Sequence, residues 1–171
     1  MADLPYFRRL ARYNGWANRR LYFACADFSP AEWAAPRAGF FPSLQKTLNH
    51  ILVGDRVWLA RFEQTEQPHR RLDELPYPEF SDLKAAREAL DERIVTYTVT
   101  LDPDRLDSDL VYRNMAGEPQ ATPLRWTLAH FFNHQAHHRG QAHAMLSSTA
   151  VKPPSLDLIL FLREELPAAS A

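Results

Sequence analysis

Five of the seven histidines in the 171-residue chain fall within one stretch, Leu124–Leu146: His130, His134, His137, His138 and His143. The stretch reads as a single long helix. At about 100° per residue, His130, His134 and His138 form a column, each ~40° from the next and one turn along. An i, i+4 histidine pair places two imidazoles on one helix face, close enough to share a metal ion.

His50 is the natural third ligand, being the only histidine on another long helix. His69 sits in a proline-bearing linker and is expected in solvent. Three neutral imidazoles with an open position is the ligand count of a catalytic metal site, not a closed structural one. Such a set suits Zn, Ni, Fe or Cu, and imidazole does not choose among them. His130 is open to three roles: ligand, hydrogen-bond donor to a ligand, or packing residue. His137 and His143 point away from the column and are not expected to be ligands.

Gln135, not Glu, follows His134, so the HExxH pattern and its helix-borne general base are absent. No carboxylate occurs between Glu118 and Asp157. A three-histidine site without a nearby carboxylate keeps the full charge of a divalent ion. It favours an anionic fourth ligand, hydroxide or thiolate, so hydrolysis and thiol transfer are both chemically open.

These residues must be positioned by helices. Residues 3–27 carry Phe7, Leu10, Asn14, Ala17, Leu21, Ala24 and Phe28 at alternating steps of three and four, the seam of a bundle helix. Asn14 within that seam reads as a buried polar residue that sets register. Ser29-Pro30-Ala31-Glu32 is a capping box with proline at the first helical position, starting a short helix that ends before Pro36. Ser43 caps a helix over 43–64 with the stripe Leu44, Leu48, Ile51, Leu52, Trp58, Leu59 and Phe62, and with Asp55 inside it. Pro68, Pro76 and Pro78 mark a linker over 65–80. Ser81 is the expected cap of a helix over 81–101, which Pro103 stops. Residues 104–123 suggest a small hairpin-like loop. Pro123 opens the histidine helix, and Ser155 is the expected cap of a short final helix, Leu156–Leu166.

On a wheel, His134 and His138 lie at the edge of the apolar stripe formed by Leu124, Leu128, Phe131, Phe132, Ala142 and Leu146. His50 lies ~130° from the centre of its own stripe. A shallow, solvent-reachable groove between helices is the expected setting. The pattern as a whole predicts an all-α, four-helix bundle with short extra helices and negligible strand. The predicted single domain is 1–166, with 167–171 as a disordered tail. The links before the third and fourth long helices leave room for a topology other than simple up-down-up-down.

Composition is ordinary for a soluble globular chain, 46% hydrophobic and 24% charged. Net charge is −1 and the pI near 6.7, with no basic arm, so no nucleic-acid partner is expected. No apolar run reaches the ~20 residues of a membrane span. Cys25 is the only cysteine, which excludes an internal disulfide and favours a cytoplasmic setting. As a lone thiol, Cys25 reads as a small buried apolar residue rather than a nucleophile.

The segment Asn133–Gln141, NHQAHHRGQ, resembles the NHxxHHRGQ motif of the DinB/YfiT-like (damage-inducible DinB) superfamily. Leu48-Asn49-His50-Ile51 with Asp55 and Trp58 is similar to the segment carrying the first family histidine. Tyr13–Asn18 is similar to its YNxWAN segment, and Pro153–Arg163 to its PPxxDxxxFLR segment.

The resemblance implies a DinB/YfiT-like four-helix bundle with a divalent metal on His50, His134 and His138. It leaves His130 outside the ligand set. It implies a homodimer and a metal-dependent enzyme, most readily a transferase in which Zn or Ni activates a low-molecular-weight thiol. A metal-hydroxide hydrolase and a non-catalytic, stress-response metal- or ligand-binding dimer are the alternatives. A small-molecule substrate is expected. Gln141 and His130 are candidates to bond the ligands or a bound water. Arg139 is expected to pair with Asp55 or Asp157, Gly140 to permit close helix approach, and Asn14 and Asn18 to bond within the core.

Overall fold

The structure is a computed structural model and describes residues 4–166. The tail expected over 167–171 lies outside the described residues. Six α-helices form: α1 Leu4–Ala24, α2 Pro30–Ala34, α3 Leu44–Glu63, α4 Phe80–Thr100, α5 Leu124–Leu146 and α6 Leu158–Glu165. A 3-10 turn, Pro103–Asp107, precedes an antiparallel hairpin of β1 Asp109–Arg113 and β2 Pro119–Pro123. This hairpin is more strand than the helical pattern predicts. It turns at Gly117, whose φ of 84° is a conformation open to glycine. The Asn114 side-chain oxygen accepts from the N–H groups of Ala116 and Glu118 and shapes the same turn.

Local signals explain the helix starts only in part. Ser29 accepts from the Glu32 N–H, and the Glu32 carboxylate accepts from the Ser29 N–H at 3.0 Å, closing the capping box. Ser43 accepts from the Lys46 N–H at 3.1 Å. Ser81 is not a cap: α4 starts one residue earlier, with Glu79 at the cap position and no side-chain bond there. The Leu83 N–H bonds to the Glu79 carbonyl, so the turn closes through the backbone. Ser155 is likewise not a cap, because α6 begins only at Leu158, after Asp157.

The long helices make a bundle in which α1 lies against α4 and α5, and α3 lies against α5 and α4. The helices α1 and α3 thus stand across the bundle from each other, as do α4 and α5. This is not the order of a simple up-down-up-down bundle, in which sequential helices are neighbours. The apolar stripes meet in one core that includes Phe7, Leu21, Leu48, Leu52, Phe62, Leu83, Ile94, Leu128 and Phe131. A smaller cluster, centred on Trp16, Ala17 and Phe161, seats α6 on α1. Among the described residues, no helix is long and apolar enough to cross a membrane.

A polar network crosses the bundle centre. Arg87 on α4 bonds Asp55 on α3 at 2.5 Å and Asp91 at 2.9 Å. Asp91 accepts from the amides of Asn14 (3.1 Å) and Asn18 (3.0 Å) on α1. Arg139 on α5 donates to the Asn14 and Asn18 carbonyl oxygens. Arg139 therefore pairs with neither Asp55 nor Asp157, as its position had suggested. Asp55 is taken by Arg87, and the two asparagines fill the space facing Arg139. The expected core bonding of Asn14 and Asn18 is what the structure contains. Burial opposes the Arg87 charge, but Asp91 and Asp55 together outweigh it, so the guanidinium stays ionised.

Candidate metal centre

The pairing of α3 with α5 brings His50, His134 and His138 together, with one ring nitrogen from each within 4.8 Å of the others. His50 Nε2 lies 3.3 Å from His134 Nε2 and 3.1 Å from His138 Nε2. The other nitrogens of two rings are tied outward. His50 Nδ1 is 2.8 Å from the Leu72 carbonyl, an acceptor only, so the proton of the neutral ring sits on Nδ1. His138 Nδ1 is 2.8 Å from Gln141 Oε1, which assigns its proton the same way. The Gln141 amide then donates from Nε2 to His137 Nε2 at 3.2 Å.

This hydrogen-bond pattern leaves the His50 and His138 Nε2 atoms as bare lone pairs facing each other. Two acceptors at 3.1 Å repel unless a positive charge stands between them. A proton fits poorly: burial lowers the pKa of His50, and burial also lowers that of His138. His134 is pushed down to about 3 by burial and by the charges that His138 and His50 would carry. The triad is therefore a set of neutral nitrogen donors at neutral pH, the form a metal ion needs. The residues fit a divalent transition ion, with Leu72 and Gln141 supplying the outer bonds that orient ligating histidines.

Gly54 fits His134 into the groove. A Cβ at position 54 would stand 3.0 Å from His134 Cε1 and 3.6 Å from its Nδ1. Glycine inside a helix costs about 1 kcal/mol against alanine, so its place one turn after His50 has a packing reason. Phe41, from the loop before α3, stacks on the His50 ring at 4.1 Å and meets His138 edge-on. Above the triad lies a cavity of about 340 Å³ walled by Phe40, Phe41, His50, His134, His137, His138 and Gln141.

The groove is deeper than the wheel arithmetic predicts. His50 is 5% exposed and His138 9%. Phe41 and the 65–79 linker cover them, and a wheel of two helices cannot register either. The linker is itself built: Asn49 bonds the Tyr77 backbone through both amide ends, and Gln45 and Trp33 donate to the Pro78 carbonyl. His69 is buried rather than in solvent, because Glu74 accepts from its Nδ1 at 2.8 Å and folds the turn that presents Leu72.

The remaining candidates separate clearly. His130 stays outside the triad and packs on Trp58, with ring centres 5.1 Å apart. His137 lines the cavity without joining the triad. His143 faces the Pro154 carbonyl at 2.9 Å. Gly140 makes no close helix approach, since nothing lies within 4 Å of a Cβ built there. Cys25 is buried, and burial pushes its thiol up to about 12, which removes it as a nucleophile at neutral pH. Gln135 is buried beside Asp55, whose charged form it favours, yet neither amide atom reaches hydrogen-bond geometry with it. Sequence reasoning missed Gly54, Phe41 and Leu72. Only Gly54 carried a signal, as a glycine in mid-helix one turn from a candidate ligand.

No curated protein matches the sequence. A crystal structure of a DinB-like protein from Bacillus cereus ATCC 10987 has the same fold, with a TM-score of 0.68 and 16% identity. That match covers 90% of this chain and 97% of the other. The DinB family model matches residues 1–168, a span that takes in both ligand-bearing helices and the segments packed over them. The bundle, its three-histidine groove and the family match agree, and the chain belongs to the DinB family.

Proposed function

We propose that this chain is a metal-dependent transferase that activates a small thiol at the His50–His134–His138 centre, with Zn or Ni as the ion. The observation that carries this reading is the cavity over the triad, which has no carboxylate in its wall. With three neutral ligands and no protein anion, the ion keeps its full charge and lowers the pKa of a thiol at its open position. His50, His134 and His138 hold the centre. The Leu72 carbonyl and Gln141 keep two of those rings in the tautomer that directs Nε2 inward. Phe41, stacked on His50, covers one side of the centre. His137 is the wall imidazole outside the triad; its Nε2 accepts the Gln141 amide N–H, so it would take a thiol proton by releasing that bond.

The same His137 is what a hydrolytic reading would rest on, since it is the wall group able to accept a proton from water. Titration of a low-molecular-weight thiol in the presence of the zinc-loaded protein distinguishes the two. The thiol reading expects a clear fall in thiol pKa that disappears in His134→Ala. If neither cysteine, glutathione, a glycosylated cysteine thiol nor benzyl mercaptan shows a shift, the transferase reading fails.

A further inference from the structure

The cavity wall also bears on what the centre accepts, an inference that rests on the transferase reading of the site. Apart from the triad, its walls are two phenylalanines, His137 and Gln141. Gln141 is engaged at both amide ends, by His138 and by His137. The wall thus offers almost no hydrogen bonding to a polar substrate group beside the open position.

What it offers is ring surface. Phe40 and Phe41 meet edge to face at 4.9 Å. Phe41 is held flat on His50, whereas Phe40 is 80% exposed. The same two rings wall a second cavity of about 360 Å³, completed by Pro42, Lys46, Asp73, Glu74 and Leu75. Leu72 and Leu75 are also exposed apolar side chains on this side.

The carboxylates of the second cavity are spoken for, while exposed Lys46 stands at its solvent side. The Glu74 carboxylate accepts from His69 and from the N–H groups of Arg70 and Arg71, and Asp73 pairs with Arg71. A large ring left in water beside a reactive centre marks an unfilled apolar contact.

We propose that the molecule whose reacting atom takes the open position carries an uncharged aromatic or similarly ring-shaped group. That group packs against Phe40 and bridges the two cavities, with Leu75 at its far side. A phenyl ring in such a contact buries enough apolar surface for a preference of about tenfold or more over a methyl group.

The test uses two probe pairs on the zinc-loaded protein, each pair sharing one metal-binding head. Benzohydroxamate is compared with acetohydroxamate, and benzyl mercaptan with ethanethiol, by calorimetric titration. The expected result is at least about tenfold tighter binding of the ring-bearing member, falling to within about threefold in Phe40→Ala. Acetohydroxamate affinity should be unchanged in that variant. Leu75→Ala, in the wall of the second cavity, should lower the ring preference in the same direction. Equal affinities within each pair, or a preference that survives Phe40→Ala, would overturn the ring subsite. Ring selectivity among hydroxamates with no thiol binding would instead sink the thiol reading and leave the subsite standing. Binding of no probe at all would end both.

Discussion

Two polar clusters each draw on α3 and α5, and they are built on opposite terms. The central network of Asp55, Arg87, Asp91, Asn14, Asn18 and Arg139 sets two cations against two anions and bridges them with two amides, although Asp55 Oδ1 and Arg87 Nε keep no hydrogen-bond partner. The groove cluster of His50, His134 and His138 is not matched in this way: three uncharged imidazoles converge, and the protons of His50 and His138 point away, leaving their Nε2 lone pairs facing each other. The first is charge-balanced as it stands and reads as architecture. The second is complete only with a cation from outside. Polar burial alone therefore does not mark a functional site; an unbalanced donor set does.

The sharpest way to break this contrast is in the centre. Arg87→Ala leaves Asp55 and Asp91 buried without their shared cation. Urea unfolding should show a loss of about 3–5 kcal/mol. If the variant is as stable as the parent, the network is not the self-compensating unit described.

Next in size is the metal response. Zinc at about 1,000 times its dissociation constant should raise stability by about 4 kcal/mol in the parent. In His134→Ala that gain should vanish, while metal-free stability should move by no more than about 1 kcal/mol. A large metal-free loss would place His134 with the architectural cluster instead.

Gln141→Ala removes the acceptor of His138 Nδ1. Zinc affinity should fall about 10- to 100-fold in competition with a chelating dye, the usual range for an outer partner of a ligating histidine. Unchanged affinity would show that the ring needs no such orientation.

Gly54→Ala is the smallest and cleanest test. Helix propensity favours alanine by about 1 kcal/mol, yet the new Cβ crowds the His134 ring. Metal-free thermal stability should hold or rise while zinc affinity drops. A parallel rise in both would remove the reason given for Gly54.

The sequence showed most of the frame and which histidines converge, for physical reasons. Period-3.6 stripes placed Leu48, Leu52, Leu128 and Phe131 in the core, and i, i+4 spacing put His134 and His138 on one face. What escaped it depends on distance along the chain or on irregular backbone. Helical wheels rank faces but not partners, so they do not assign Arg87 to Asp55, and they suggest a carboxylate for Arg139 where two asparagine carbonyls accept from it. Phe41 and Leu72 reach the site from loops, where no periodicity announces them. Ser81 and Ser155 had the chemistry of caps, but backbone closure at Glu79 and the later start of α6 after Asp157 overrode them. The ring order of the helices is likewise set by packing between distant segments.

The central claim is that three converging imidazoles take up one divalent ion. Calorimetric titration of zinc into the metal-free protein tests it directly, with His50→Ala, His134→Ala and His138→Ala alongside. The account predicts one ion per chain for the parent and loss of that binding in each variant. No binding by the parent, or one ion per chain retained when all three histidines are replaced together, would contradict it.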